Sequence, residues 1–195
     1  MPPRLFAFFR TAAGGCLAGT LLASAVPVPA AAADEPPPLR RPSPAELAPL
    51  VRVALGIIEY TRWPGPLRPL TLCIAAGGAW GTHLAMAAAG VEGPRVLQPR
   101  LLPVNEPLPA DCDAIVVGGW QEPVLRAAVA ELAARPVLTI GAGPRFCDGG
   151  GQFCLLPGEP TSRFSVNVEA LARSGLVVNP RMLQLARPRP GEPRP

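Results

Sequence analysis

Five cysteines, a single histidine, three tryptophans and several glycine-rich turns are the residues of this chain with chemistry to offer. A thiol can serve as nucleophile, metal ligand or half of a disulfide, and the spacing of Cys16, Cys73, Cys112, Cys147 and Cys154 discriminates among these uses. No C-x-x-C or H-x-x-x-H core is present, so a zinc site is not expected, and no metal is assigned. His83 would need a nucleophile or carboxylate at a recognisable spacing to act as an acid–base catalyst, and none stands near it; it reads as a surface or half-buried side chain, and the chain as not an enzyme. Gly77-Gly78-Ala79-Trp80-Gly81 lies where phosphate-cradling loops occur, yet fits neither G-x-G-x-x-G nor the P-loop spacing, so a tight βα turn is expected and no cofactor. Gly141-Ala142-Gly143-Pro144 is taken as a loop. Trp63 and Trp80 are core closures or interface anchors, tryptophan being common in both roles.

Compartment settles how the thiols are used. Arg4 and Arg10 precede an almost uncharged stretch from Thr11 to Val26, followed by Ala30-Ala31-Ala32-Ala33, the order of a secretory signal peptide cleaved after Ala33. The apolar stretch is shorter than a membrane span requires, and Pro27 and Pro29 end it, so the mature protein is not expected to cross a membrane itself. A lipid-modified Cys16 is disfavoured because Ala13-Gly14-Gly15 lacks the aliphatic residue such a site wants. Cleavage removes two of the 18 basic residues and none of the 14 acidic ones, leaving a net charge of +2 in place of +4. With no lysine and scattered arginines, nothing forms the basic stripe of a nucleic-acid binder.

Export leaves Cys73, Cys112, Cys147 and Cys154, an even set that reads as two disulfides. Three pairings are open in principle. Asp148-Gly149-Gly150-Gly151 can reverse the chain between Cys147 and Cys154, which favours that bridge and leaves Cys73 for Cys112. The short glycine-rich loop is expected to be exposed and the more easily reduced.

These residues require a scaffold. Residues 34–44 and 187–195 are proline-rich tails, and residues 45–186 fit one domain. Leu47, Leu50, Val51, Ala54, Leu55 and Ile58 mark a first helix, capped by Ser43-Pro44-Ala45-Glu46 and either kinked at Pro49 or begun afresh near Ala48. Val53 and Ile57 lie off its main stripe, so it is either buried on most sides or part of an interface. Strands are expected at Leu70–Ala75, Arg95–Gln98, Ala114–Val117 and Pro136–Ile140, with helices at about Ala79–Ala89 and Glu122–Ala134, the latter buried through Val124, Leu125, Ala128 and Leu132. Gln152–Leu156 and Arg163–Asn167 have hairpin grammar across Pro157-Gly158-Glu159-Pro160, and a short helix from Asn167 to Arg173 and a last turn or two at Arg181–Leu185 follow. The fold class is therefore α/β: a single three-layer domain with an open, largely parallel sheet and a C-terminal antiparallel hairpin.

Taken in order, these residues resemble a known family. Tyr60-Thr61-Arg62-Trp63-Pro64 after an apolar helix, Leu72-Cys73-Ile74 before a glycine pair, and Asp111-Cys112-Asp113 before an apolar strand are similar to the YfiR family. So are Pro136–Gly141, Phe146 ahead of Gly149-Gly150-Gly151, Arg163–Asn167, and Gly175-Leu176 through Arg181–Ala186. The resemblance spans about residues 47 to 186 and departs from the family pattern in the proline-rich tails and at Asn179-Pro180. It implies a periplasmic negative regulator that binds a membrane-anchored diguanylate cyclase, lowers cyclic di-GMP and disfavours biofilm. It further implies a homodimer with two internal disulfides, which agrees with the pairing favoured by spacing. Arg62, Trp63 and Trp80 are the interface candidates. A periplasmic small-ligand-binding module, with the glycine turns and Trp80 lining a pocket, is the alternative.

Overall fold

The structure is a computed structural model, and it describes residues 43–92, 95–156 and 163–186. The expected signal peptide, residues 34–42 and 187–195 of the tails, and the Pro157–Pro160 turn lie outside the described residues.

Helix α1 (Pro44–Tyr60) begins with a complete capping box: Ser43 Oγ accepts from the Glu46 N–H while the Glu46 carboxylate accepts from the Ser43 N–H at 2.6 Å. Pro44 occupies the first helical position, where a missing N–H costs nothing. Pro49 sits inside one continuous helix rather than at a fresh start. Val53 and Ile57, off the apolar stripe, are as fully buried as Ala54, while Glu59 faces solvent. The breadth of the apolar surface is thus absorbed within the domain.

Strand β1 (Thr61–Arg62) leads into β2 (Leu70–Ala76), α2 (Gly78–Ala89), β3 (Leu97–Leu101), β4 (Ala114–Gly118), α3 (Glu122–Leu132), β5 (Leu138–Ala142), α4 (Pro144–Asp148), β6 (Phe153–Leu156), β7 (Arg163–Val166), α5 (Val168–Ser174), β8 (Val177–Val178) and a 3₁₀ helix, η1 (Pro180–Ala186). Six strands form one sheet in the order β3-β2-β4-β5-β6-β7; all neighbours are parallel except β6 and β7, which make the antiparallel hairpin. β1 and β8 pair separately as a short antiparallel ribbon. The fold is a single α/β domain of the expected kind.

Alternation along the strands builds two cores. Leu70, Leu72, Ile74, Val116, Ile140 and Phe153 pack against Ile57 and Ile58 of α1 and Leu84 of α2. The intervening residues Cys73, Ala75, Ile115, Val117 and Cys154 pack on the opposite face with Val129 and Leu132 of α3 and Phe146 of α4. Period-two alternation with apolar residues on both faces is what a sheet covered on both sides demands.

Several expectations need correction. β5 runs two residues later than Pro136–Ile140, so Gly141 and Ala142 are strand rather than loop, and only Gly143 turns the chain, at φ 81° into α4. That helix escaped notice because five residues carry too little periodicity to recognise. In α3 the buried residues are Val129 and Leu132; Val124, Leu125 and Ala128 are only half-buried. β3 also lies later than Arg95–Gln98 and includes Pro99. Leu102 N–H donates to Ile74 O and Leu70 N–H to Val96 O, so the even-numbered residues of β3 face β2 and Leu97, Pro99 and Leu101 face the free edge. Proline costs no ladder hydrogen bond there, and it removes a donor from an open edge.

Candidate interaction site

Trp63 and Trp80 stand at opposite ends of the sheet. The Trp63 indole N–H donates to Asp113 O at 3.0 Å, just before β4 begins, and the Arg95 guanidinium stacks 5.2 Å from its ring centroid. Trp80 instead packs where β4 ends, its ring within 3.4 Å of the position a Cβ on Gly118 would take. Its Nε1 is buried without a hydrogen-bond partner among the described residues. The structure therefore keeps Arg62 and Trp63 together, on the exposed end of β1 and the turn after it, and separates Trp80 from them. Leu67 (64% exposed) and Val96 (55%) lie in the segments that enter β2 and β3, toward the end of the sheet where Trp63 sits.

Asp113 organises this end of the molecule. Its carboxylate takes a bidentate pair from Arg68, at 2.8 and 2.5 Å, and the Thr71 N–H at 2.9 Å. Its backbone donates to Thr71 O and accepts from Leu138 N, besides receiving Trp63. Burial disfavours the charged carboxyl, but the hydrogen bonds from Arg68 and Thr71 and the charges of Arg68 and Arg95 outweigh it, holding Asp113 below the usual carboxylate range. The sequence showed Asp113 only as part of a motif; nothing in its spacing revealed a partner 45 residues away at Arg68. Trp120 was missed in the same way: its indole N–H donates to Ala75 O at 2.6 Å, tying the loop after β4 to β2.

The four cysteines form two bridges, Cys73–Cys112 and Cys147–Cys154, each with Cα atoms 5.8 Å apart. Both lie on the α3 and α4 side of the sheet. Arg100 Nη2 sits 3.3 Å from Cys73 Sγ and 3.5 Å from Cys112 Sγ while its guanidinium pairs bidentately with Asp111, so an ion pair covers the first bridge. The Asp111 carboxyl is lowered by that hydrogen bond. The second bridge is less open than its glycines suggest: Cys154 is fully buried and Cys147 half-buried, its sulfur near Ser165. Asn167 donates to Cys147 O and caps α5 through Ala170 N, fixing this corner further.

His83 Nδ1 lies 2.9 Å from Ala79 O, one turn back on α2, an arrangement that needs the proton on Nδ1 and ties the ring to its own helix. Among the described residues no three His, Cys, Asp or Glu side chains cluster as a metal would require, and no helix is long and apolar enough to cross a membrane.

A doubly covered α/β sheet, with Cys73–Cys112 and Cys147–Cys154 locked in pairs and Trp63 and Trp120 tied to backbone, defines a disulfide-stapled α/β scaffold. A family model described as YfiR/HmsC-like matches residues 51–187, and the chain belongs to that family. Membership supports a periplasmic regulator in the cyclic di-GMP pathway, and two disulfides fit an oxidising compartment.

Proposed function

We propose that this protein is exported, cleaved near Ala33, and restrains a membrane-anchored diguanylate cyclase by binding its periplasmic part, lowering cyclic di-GMP. Family membership across the folded domain carries the reading, and the paired cysteines support it by their fit to an oxidising compartment. A binding role is also consistent with where the chemistry of this chain is spent. His83 is engaged with its own helix and the four described cysteines with one another, while apolar side chains such as Leu67 and Val96 stand exposed.

The partner surface is assigned to Arg62 and Trp63, extended by Leu67 and Val96. An aromatic residue rimmed by apolar and arginine side chains is the composition of an interface anchor. Trp80 belongs to a separate surface. The protein acts as a homodimer in this reading, with catalysis left to the partner. Deleting the gene and measuring cyclic di-GMP tests the proposal: the level should rise, and return when the gene is restored. An unchanged level in the deletion strain would refute it.

A further inference from the structure

Two clefts of small-molecule size open along the outer side of α3. One, of about 510 Å³, is lined by Glu122, Arg126, Arg145, Asp148 and Gly149. The other, of about 500 Å³, is lined by Glu122, Pro123, Arg126, Ala127 and Ala130. They share Glu122 and Arg126: the first is a charged cleft between α3 and α4, whereas the second lies wholly on the outer face of α3. The first cleft lies between α3 and α4, which follow the carboxyl ends of β4 and β5, the side of a parallel sheet where α/β folds hold ligands.

The charged cleft is assembled from two elements. Glu122 accepts from Arg126 at 2.6 Å and lies 3.8 Å from Arg145 Nη1, so one carboxylate draws guanidinium groups from α3 and α4 toward each other. A guanidinium carries five donors, and these contacts leave most of them available. Asp148 supplies a second carboxylate on the α4 side. Two cations and two anions make a lining with no net charge. A simple anion would meet the arginines but also the carboxylates; a molecule bearing one group of each sign satisfies both.

The α4 wall is held firmly. Phe146, 2% exposed, wedges its ring against the backbone of Gly141 and Gly151, where any Cβ would collide with it. Asp148 and Gly149 fall inside the ring closed by Cys147–Cys154. Fixed walls are what bring affinity to so few polar contacts.

We propose that the charged cleft binds a small zwitterion, its carboxylate or phosphate taken by Arg126 and Arg145 and its ammonium by Asp148. The site is independent of the cyclase-binding surface assigned above. Isothermal titration of the oxidised protein with O-phosphoethanolamine, inorganic phosphate and ethanolamine tests it. The zwitterion should bind saturably and at least about tenfold more tightly than either half-molecule, a difference of one decade in Kd. The double variant Arg126→Gln/Arg145→Gln, at exposed positions that the fold does not depend on, should lose that binding, and Asp148→Asn should erase the preference over phosphate. Equal affinity for phosphate and phosphoethanolamine, no saturable binding, or unchanged binding by the folded double variant would overturn the proposal.

Discussion

One residue, Asp113, ties together four others around the start of β4. Asp113 holds Arg68, Thr71, Trp63 and Leu138 through side chain and backbone, so replacing it by alanine removes a charge-assisted pair and strands the Thr71 N–H. The expected loss is about 2 to 3 kcal/mol, measured by urea denaturation at pH 7. Because its folded pKa lies below the unfolded value of about 3.9, the contribution is present above that pH and vanishes as pH falls through the folded pKa. Asp113→Asn should flatten the acid limb of the stability profile below about pH 4, and a limb as steep as that of the parent would assign it to other carboxylates. Trp63→Ala keeps the Asp113 carboxylate network and exposes one half-buried ring's worth of contacts. A loss of about 2 kcal/mol with the fold intact is expected, along with loss of partner capture in a pull-down. Global unfolding, seen by circular dichroism, would instead make the residue a core element.

At the level of elements, the clearest dependency is α4 on the glycines around it. Gly141→Ala and Gly151→Ala each place a methyl group inside the Phe146 ring, and overpacking of that kind costs about 1 to 3 kcal/mol. Thermal melts of the two variants should both shift down, with the Cys147–Cys154 bridge more easily reduced in each. The sequence revealed the long elements because they are periodic: the stripe in α1 and the apolar runs of β2 and β4 survive any reasonable threshold. It did not reveal β1, β8 or α4, whose two to five residues are specified by tertiary pairing such as Thr61 with Val178 and not by local pattern. The sequence ends β3 too early, at Gln98, because Pro99 argues against a strand unless its neighbour on one side is solvent, which only the sheet order discloses. The cysteines were legible as a set, whereas Arg100 and Asp111 over one bridge, and the arginines meeting at Glu122, depend on residues brought together only by the fold.

For the whole molecule, the two bridges contribute unequally. Loop closure over a separation of 39 residues is worth about 4 kcal/mol, and over 7 residues about 2.5 kcal/mol, before strain in the folded state. Cys73→Ser/Cys112→Ser should therefore lower the melting temperature more than Cys147→Ser/Cys154→Ser, by scanning calorimetry under oxidising conditions. Reductant should open the second bridge first, since Arg100 and Asp111 cover the first, and mass spectrometry after timed thiol alkylation gives the order. Under the function proposed above, opening should also weaken hold on the cyclase, read as recovery of cyclase activity in membranes treated with a mild reductant.

The bridges also join neighbours in chain order, the first of the four cysteines to the second and the third to the fourth. On the export route proposed above, a polypeptide emerging amino end first from a translocation pore presents each thiol to its native mate before the next one appears. Oxidase alone can then complete the pattern, with no wrong bridge to be undone and no call on an isomerase. Refolding the reduced mature chain all at once loses that temporal sorting, so oxidation during export should give fewer mispaired products than oxidation from denaturant.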